Sequence, residues 1–497
     1  MPAGAGRAGA LEVAAAPLRC ASPAVQLFLR PDGEVRVCCI NEHPLGHVPQ
    51  DRLRDLWDGH VRRAALDRLA DGQVPDGCQG CAAEVAAEGW DGSYPATFEE
   101  WSGDAASPPA WPQLLSFNLS IECNLQCVQC DGEQSSAIRI HREHRPRLVS
   151  PYDDRFFEDV VPFLAHARRA IFSGGEPFLA SENYRLWDAV AASAPHLDCR
   201  VITNATQWSA RVEAVLERVD LGFVFSIDGM SAATFEAIRV GARFDAVMAN
   251  LERFLAVARE RGTWCSINHC LMAENAHEFA DLLAFAEARA LPVDVSVVRK
   301  PSRHSVVRLH QDEIRSVVAT LEARDAEMEA SLVLNLATWR RELDRLRRWA
   351  ALSDDGRRRL RGASGELVAG VPRLGDGPLD DRAARDALAA RAPGATVHHI
   401  DIGEGDVVVA ASASVAEVGL DVAALVGRSG DEIPGALAAA IGPLGRRREL
   451  GEVGGGPMSE LEVGTMLVRS VVVPMRDADG WAATARIAFT VEPLPAP

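Results

Sequence analysis

Three cysteines, Cys123, Cys127 and Cys130, stand on one short loop directly after a predicted strand, SFNLS. Thiolates with this spacing can bind three irons of a cubane iron-sulfur cluster and leave the fourth iron open to a small-molecule ligand. The alternative is a structural zinc ion, whose closed tetrahedron would be completed by His141 or His144 from the nearby segment IHREH. The spacing by itself leaves both metals open.

A second set of cysteines lies upstream and comprises Cys20, Cys38, Cys78 and Cys81. Four thiolates would ligate all four irons of a second 4Fe-4S cluster, or they would close a zinc knuckle. Cys39 is the alternative to Cys38, because adjacent residues on a strand point to opposite faces and only one of them can face a cluster.

Length and charge limit the classes of protein to which this chain can belong. The chain has 497 residues, 47% of them hydrophobic, which is enough for roughly two to four packed domains and excludes a single small binding module. Its formal net charge of -18 provides no basic face for a phosphate backbone, so nucleic acid is not an expected partner. A substrate with a basic segment would be attracted.

The sequence also indicates in which cellular compartment the protein is expected. No stretch approaches the ~20 apolar residues that cross a bilayer, and the Ala/Gly-rich start has no cationic patch before an apolar block. We therefore expect a cytoplasmic protein without a membrane partner. Seven of the eleven cysteines fall in three tight groups, which in a reducing compartment indicates metal binding rather than disulfides.

From residue 113 to about 300, short β-type runs alternate with amphipathic helical stretches. The strand candidates are LLSFNLS, RRAIFSG, CRVITN, LGFVFSI, WCSINHCLM and PVDVSVV. Six strands with helical crossovers predict a parallel sheet, curved or closed into a partial barrel. In such sheets the ligand site lies at the carboxyl ends of the strands, which is where the loop with Cys123 falls.

Polar motifs end the next three strands of this sheet. They are Ser173-Gly174-Gly175-Glu176-Pro177, Thr203-Asn204-Ala205-Thr206 and Ser226-Ile227-Asp228-Gly229. Each one alone is most simply a turn that ends a strand. Their occurrence together, in order and each at a strand end, indicates one shared site.

With these landmarks, residues 113 to 300 resemble the radical S-adenosylmethionine (SAM) superfamily, whose signature is C-x3-C-x2-C after the first strand of a partial (β/α)6 TIM-type barrel. The resemblance implies an α/β fold of that class. It also implies that Cys123, Cys127 and Cys130 bind a 4Fe-4S cluster. The residues it assigns to SAM are Gly174, Gly175, Glu176, Pro177, Asn204, Ser226, Asp228 and Arg239.

Two details of the resemblance concern single residues. The glycines of the GGEP turn would let the backbone approach the methionyl amino group of SAM. Arg239, in FEAIR, would pair with the carboxylate of SAM. The position before the third cysteine, usually aromatic in the family, is Gln129, a departure that removes no ligand.

The resemblance implies a mechanism. A reduced cluster passes one electron to the bound sulfonium, which yields methionine and a 5'-deoxyadenosyl radical that abstracts hydrogen from an unactivated carbon. Because the cluster and SAM themselves generate the radical, the resemblance assigns no catalytic residue beyond the cluster ligands. A flavodoxin- or ferredoxin-type protein is the implied electron donor.

The upstream cysteines, in the pattern C-x12-G-x4-C...C-x2-C, resemble the auxiliary-cluster modules called SPASM and twitch. The longer second half of a SPASM module is absent, so the resemblance implies a single, twitch-like auxiliary 4Fe-4S cluster. The module precedes the barrel here, whereas in relatives it normally follows. Cys199, Cys265 and Cys270, in or beside strand candidates, are expected to be buried and inert.

We divide the chain as 1–17, a disordered tail; 18–101, the auxiliary cluster module; 113–305, the radical SAM core; 306–384, a helical extension and linker; and 385–497, a small α+β domain. The charged helices of the extension are expected to present a solvated face. The last domain, with two long strand candidates joined at a D-x-D-G hairpin, weakly resembles a PAS fold.

The sequence therefore predicts a radical SAM oxidoreductase that acts on a peptide, of the kind matured from a ribosomal precursor, or on a specialised metabolite. The alternative within the family is a dehydrogenase or epimerase of a small, aminoglycoside-like alcohol. A non-enzymatic zinc-binding interaction protein is the alternative from another class. It would explain the cysteines but not the three strand-end motifs.

Overall fold

The computed structural model describes residues 18–90, 93–299 and 301–353, together with six strands of the C-terminal region. The predicted tail 1–17, most of the linker that ends at 384 and the predicted helices of the last domain lie outside the described residues. Among the described helices, none combines the length and the hydropathy that a bilayer span requires.

One nine-stranded sheet organises residues 26–297. Its strands are β1 Gln26–Leu29, β2 Glu34–Arg36, β3 Gly46–His47, β4 Leu114–Phe117, β5 Arg169–Phe172, β6 Asp198–Thr203, β7 Leu221–Ser226, β8 Cys265–Leu271 and β9 Val293–Val297. The order is β3-β2-β1-β4-β5-β6-β7-β8-β9, and β4 to β9 are parallel. The outer strands β3 and β9 do not pair with each other, so the sheet is open, and the predicted partial barrel is confirmed.

Helices precede, connect and follow the parallel strands. Their bounds are α1 Ser22–Val25, α2 Leu53–Trp57, α3 His60–Ala70, α4 Gln79–Glu88, α5 Ser102–Ala106, α6 Asp154–His166, α7 Ser181–Ser193, α8 Ala210–Leu216, α9 Ala232–Ile238, α10 Phe244–Arg261, α11 Phe279–Glu287, α12 Gln311–Glu322, α13 Asp325–Ser331 and α14 Leu336–Ala351. Three of them begin at a side-chain cap, because Asp153, Ser209 and Ser231 each accept a hydrogen bond from a backbone N–H of the first turn.

The two faces of the sheet differ in burial. On one face, Phe223 and Phe225 pack against Phe254 of α10, with ring centroids 4.7 and 6.2 Å apart. Alternation along the strands sends the neighbouring side chains, such as Arg200 and Ser226, to the opposite face, where they are only half-buried. We call this second side the open face. It is the side of the barrel that a ligand can reach.

The N-terminal hairpin belongs to the same sheet as the barrel strands. β1 and β2 pair antiparallel around the predicted turn, with Phe28 opposite Arg36. β1 also pairs in parallel with β4, with Leu29 opposite Phe117. All four residues of β1 are buried, as expected of a strand with neighbours on both sides. The cysteine-rich module is thus an extension of the barrel sheet.

The helical extension corrects one expectation. The charged face of α14 is not wholly solvated, because Glu342 is fully buried and its Oε2 accepts a hydrogen bond from Nη1 of the buried Arg345 at 2.9 Å. Trp339 of the same helix stacks on Phe279 with centroids 6.2 Å apart. The helix therefore packs against the last part of the barrel, and its charges are paired inside that contact.

The C-terminal strands form a separate six-stranded sheet. They are β10 His398–Ile402, β11 Val408–Ala411, β12 Leu444–Val453, β13 Gly456–Val463, β14 Met466–Met475 and β15 Thr484–Pro493, in the order β11-β10-β15-β14-β13-β12. All its pairs are antiparallel, including the two long strands expected from the sequence, β14 and β15. β12 and β13 were not predicted. The PAS-like resemblance stays a prediction.

Candidate iron-sulfur and cofactor site

The three cysteines of the C-x3-C-x2-C loop lie together at the carboxyl end of β4. The thiol of Cys130 donates a hydrogen bond to Cys127, and this bond is the main reason that the pKa of Cys127 is lowered to about 7. Burial instead raises the pKa of Cys123 to about 11. Iron binds the thiolate, so the Cys130 thiol and Arg239 favour the form of Cys127 that binds a metal, whereas burial opposes that form at Cys123.

Backbone hydrogen bonds hold this loop against the segment that follows α9. The amides of Gln126 and Val128 donate to the carbonyls of Val240 and Ile238, at 2.8 and 2.9 Å. The residue between those two acceptors is Arg239. The pairing therefore fixes Arg239 beside the cysteine loop, although more than a hundred residues of sequence separate them.

The GGEP turn packs directly on the cysteine loop. The amides of Gly175 and Glu176 donate to the carbonyls of Ser120 and Glu122 at 3.0 and 2.7 Å. A Cβ on Gly174 would lie 2.4 Å from the Ser120 oxygen, and one on Gly175 would lie 2.3 Å from the Glu122 oxygen. The sequence predicted glycines here for approach to a cofactor. The structure adds a second reason, which is contact between two stretches of backbone.

Gly174→Ala is expected to dislodge the cysteine loop. Gly174 has φ +118°, which an L side chain rarely adopts, and the added methyl would strike backbone that cannot rotate away. We expect a loss of at least about 2 kcal/mol in the free energy of unfolding, and less iron bound after reconstitution. Urea unfolding and iron analysis measure the two effects. Gly103→Ala is the matched control, since nothing lies within 4 Å of its Cβ position. Equal stability of the two variants would contradict the prediction.

Glu176 links the ends of β5 and β6. The side chain is buried, and its carboxylate accepts hydrogen bonds from the Asn204 amide at 2.7 Å and from the Thr203 hydroxyl at 2.8 Å. Burial raises its pKa to about 7. This glutamate therefore holds the TNAT turn in place, and nothing in the structure requires it to touch a ligand.

Glu176 should make folding less favourable as the pH rises. Its pKa is about 7 in the folded protein against 4.5 unperturbed, so between these values the folded state holds a proton that the unfolded chain has released. The free energy of unfolding should fall with rising pH there, by on the order of 1 kcal/mol per pH unit. Urea unfolding of the metal-free protein across that range measures the slope. Glu176→Gln should flatten the slope and Glu260→Gln, at an exposed site, should not. Identical slopes would refute the assignment.

Asn204 reaches from the end of β6 to the cysteine loop. Its Nδ2 lies 3.3 Å from Asn124 Oδ1 and 3.9 Å from the Cys123 sulfur. The next residue, Ala205, has φ +56°, a left-handed conformation that places the Asn204 side chain at the turn. Asn204 is thus brought to the predicted site.

Asp228 and Arg239 form a buried ion pair beside the cysteine loop. Arg239 Nη2 lies 2.7 Å from Asp228 Oδ2, which also accepts from Gln129 Nε2 at 2.8 Å. The other oxygen, Oδ1, accepts from the Cys270 amide at 2.8 Å. Burial disfavours the charge on Arg239, but Asp228 and Cys127 outweigh it and raise the pKa of Arg239. Both contacts show that Asp228 holds the side chains of Arg239 and Gln129 in place. Its position at the end of a strand had predicted a contact with SAM and did not indicate this role.

The pocket fits a polar cofactor bound to a cluster. Among the described residues, Arg239 Nε and Gln129 Oε1 are buried without a hydrogen-bond partner. One atom is a donor and the other an acceptor, and both belong to side chains fixed by Asp228 next to the three thiols. Buried polar groups are normally satisfied, so an unpaired donor and acceptor here suit a ligand with carboxylate and amine groups.

Ser226 belongs to a polar row on the open face, and the sequence reasoning missed the other members of that row. Strand pairing aligns Ser226 of β7 with Asn268 of β8 and Asn268 with Asp294 of β9. The same register aligns Cys270 with Ser296. Alternation of polar and apolar residues in CSINHCL and VDVSV was the available signal. Ser226 ends β7, Asn268 lies within β8 and Asp294 is the second residue of β9, so the row crosses the open face and does not stay at one end of every strand.

The prediction for the three remaining cysteines is corrected in part. Cys199 is buried, as expected, but Cys265 and Cys270 are half-buried. Cys270 faces the cofactor pocket, since its pKa responds to Asp228, Arg239 and Cys127. The position of Cys270 within its strand could not reveal its neighbours, because these depend on the register between β8 and the adjacent strands.

The upstream cysteines converge on one small cavity. Cys20, Cys38, Cys78 and Cys81 all line it. Cys39 does not, and its thiol donates a hydrogen bond to the Tyr94 hydroxyl oxygen at 3.1 Å instead. The geometry thus favours Cys38 over Cys39. Burial raises the thiol pKa values, and the neighbouring thiols raise them further, which fits a site whose ligands ionise on binding a metal.

Hydrogen bonds connect this cavity to the open face of the sheet. Gln26 Nε2 donates to the Ser116 hydroxyl at 2.7 Å, and the Ser22 hydroxyl donates to Gln26 Oε1 at 3.2 Å. Ser22 in turn contacts the thiol of Cys38. The cavity lies before β1 and the Cys123 loop after β4, and these strands are parallel, so the two cysteine sets lie at opposite ends of the sheet.

Family models match both cysteine sets. Residues 117–286 match the Radical SAM superfamily, and residues 20–82 match the SPASM iron-sulfur cluster-binding domain. These matches confirm the predicted core, its 4Fe-4S cluster and SAM, and the auxiliary iron-sulfur module. The second description names an iron-sulfur cluster, which favours iron-sulfur over zinc for the upstream cysteines.

Known proteins resemble the chain in part. GTP 3',8-cyclase of Listeria welshimeri is 25% identical over 183 residues, 36% of this chain and 52% of that protein. Mycofactocin maturase MftC of Mycolicibacterium smegmatis is 26% identical over 39% of this chain and 46% of its own. Streptococcus suis SuiB bound to precursor peptide SuiA aligns with a TM-score of 0.34 at 16% identity, covering 47% of this chain and 52% of SuiB. The chain thus spans about half the length of these relatives.

Proposed function

We propose that this chain, which carries a radical SAM domain and an auxiliary iron-sulfur module, is an oxidoreductase that abstracts hydrogen from a peptide substrate. The observation that carries the proposal is the proximity of the loop with Cys123, Cys127 and Cys130 to the buried, unpaired polar atoms of Arg239 and Gln129. We place the reaction in the cytoplasm, with a flavodoxin- or ferredoxin-type protein as electron donor.

Each group of residues has one role in this scheme. Cys123, Cys127 and Cys130 would hold a cluster, and that cluster would supply the electron for cleavage of SAM to methionine and a 5'-deoxyadenosyl radical. Arg239, fixed by Asp228, and Asn204, fixed through Glu176, orient the cofactor at the cysteine loop. The glycines of the GGEP turn allow that turn to pack directly on the cysteine loop. The helices that cover one face of the sheet exclude water from that side of the site.

The auxiliary cluster would take up the electron left on the substrate after hydrogen loss. Support comes from its position, since hydrogen bonds through Ser22, Gln26 and Ser116 run from its cavity to the open face. The two cysteine sets at opposite ends of the sheet would then place the substrate between an electron entry point and an electron exit. With a hydrogen atom passed to the 5'-deoxyadenosyl radical, one electron to the auxiliary cluster and one proton to solvent, the substrate would undergo a net two-electron oxidation.

A peptide is the first choice of substrate. One relative is a maturase, and the net charge of -18 favours a substrate with a basic segment. A small hydroxylated molecule, oxidised or epimerised, is the second candidate. It is favoured by the polar row of Ser226, Asn268 and Asp294 on the open face, and by relatives named for their action on the small molecule GTP.

The test is anaerobic reconstitution of the protein with iron, sulfide, dithionite and SAM, followed by measurement of 5'-deoxyadenosine. A peptide encoded beside this gene and synthesised with deuterium at each residue in turn should transfer deuterium to the nucleoside. Transfer from a hydroxylated metabolite, and from none of the peptides, would favour the second candidate. A preparation with full iron that forms no 5'-deoxyadenosine would overturn both.

A further inference from the structure

Asn41 contacts two cysteines of the auxiliary site. The residue is 3% exposed. Its backbone amide donates to the Cys38 sulfur at 3.2 Å, and its side-chain Nδ2 donates to the Cys78 sulfur at 3.2 Å. One residue thus bridges two sulfurs that come from distant parts of the module.

The orientation of the Asn41 amide is fixed by two further contacts. Its Oδ1 accepts a hydrogen bond from the His43 amide at 2.9 Å, and its Nδ2 also donates to the Asp76 carbonyl at 2.9 Å. A flipped amide would set its oxygen against the Asp76 carbonyl and its nitrogen against the His43 amide. Nδ2 therefore stays directed at the Cys78 sulfur.

An N–H donor at a ligand sulfur changes the redox behaviour of a cluster. Hydrogen bonds to the sulfurs, burial and net charge set the reduction potentials of iron-sulfur clusters. Reduction adds one electron, which spreads onto the sulfurs, and a donated N–H stabilises that added negative charge.

We propose that the side chain of Asn41 raises the reduction potential of the auxiliary cluster and so favours its acceptance of an electron from the substrate. Asn41 is a positioning residue whose side chain acts through Cys78 and does not touch the substrate. The inference depends on the auxiliary cluster of the proposed function but not on the cleavage of SAM, so the two can fail separately.

The experiment uses the full chain with Cys123, Cys127 and Cys130 replaced by alanine, so that only the auxiliary cluster contributes a signal. Reductive titration with dithionite, followed by electron paramagnetic resonance, gives its midpoint potential. Asn41→Leu should lower the ratio of reduced to oxidised cluster at a fixed potential about tenfold, which is about 59 mV for a one-electron couple. Asn41→Asp should lower it further, because a carboxylate adds negative charge beside the sulfurs.

Gln50→Leu is the matched control, since it removes an exposed amide from the same module and should leave the potential unchanged. A potential for Asn41→Leu equal to that of Gln50→Leu would overturn the proposal. If Asn41→Leu bound no iron, the isosteric Asn41→Asp would supply the measurement. Loss of iron from both, with circular dichroism unchanged, would assign Asn41 a purely structural role and would also overturn it.

Discussion

Cys127→Ala is expected to reduce 5'-deoxyadenosine formation to the background level while the protein stays folded. The thiol of Cys127 is the one of the three whose pKa is lowered, and its loss leaves two ligands for three irons. Bound iron should fall from about eight to about four per chain, because the auxiliary cluster has its own four cysteines. Chromatography of the nucleoside and iron analysis after anaerobic reconstitution measure both quantities.

Cys265→Ala is the matched control for this experiment. It removes a half-buried cysteine of the same barrel that belongs to neither cysteine set, so iron and nucleoside should both stay at the level of the unmodified protein. The assignment of the first cluster would be wrong if Cys127→Ala formed as much nucleoside as Cys265→Ala. Loss of all iron from Cys127→Ala would indicate instead that the two sites assemble together.

Arg239→Met is expected to destabilise the protein by about 3 to 5 kcal/mol, the usual cost of leaving one partner of a buried ion pair uncompensated. Asp228 is fully buried, and its Oδ2 accepts the charged hydrogen bond of Arg239. Arg239→Met combined with Asp228→Leu should recover part of the loss, because no charge then remains buried. Urea unfolding of the metal-free protein, arranged as a double-mutant cycle, measures the coupling of the two residues.

Arg243→Met serves as the control in the same segment. The Arg243 side chain is 81% exposed and lies 3.7 Å from Glu236, so its loss should cost less than about 1 kcal/mol. If Arg239→Met cost no more than Arg243→Met, the pair would contribute nothing to the fold. Arg239 would then be free to serve the cofactor alone.

The parts of the fold that depend on local pattern followed from the sequence. The six barrel strands were found where alternating and apolar runs placed them, and the hairpin of β1 and β2 formed at its predicted turn. The cysteine loop and the strand-end motifs could also be identified, since each is a short contiguous segment. Their meeting at one end of the sheet follows from the parallel order of the strands.

Features that depend on strand register, or on packing between distant segments, could not be predicted from the sequence. The commitment of Asp228 to Arg239 and Gln129 needed the pairing of the cysteine loop with residues 238–240. The direction of Cys270 and the polar row through Asn268 needed the register of β8 on β9. The burial of Glu342 and Arg345 needed the docking of α14 on the barrel, since a charged helix face looks solvated in isolation.

The sequence by itself determined the chemistry available to this protein. Two cysteine sets with cluster spacing and three motifs at strand ends follow from side-chain type and spacing, which act within a few residues. Only the tertiary structure decided that Cys38 and not Cys39 lines the auxiliary cavity, and that Asp228 holds Arg239. Hydrogen bonds and burial join residues far apart in the chain, and local pattern carries no information about such contacts.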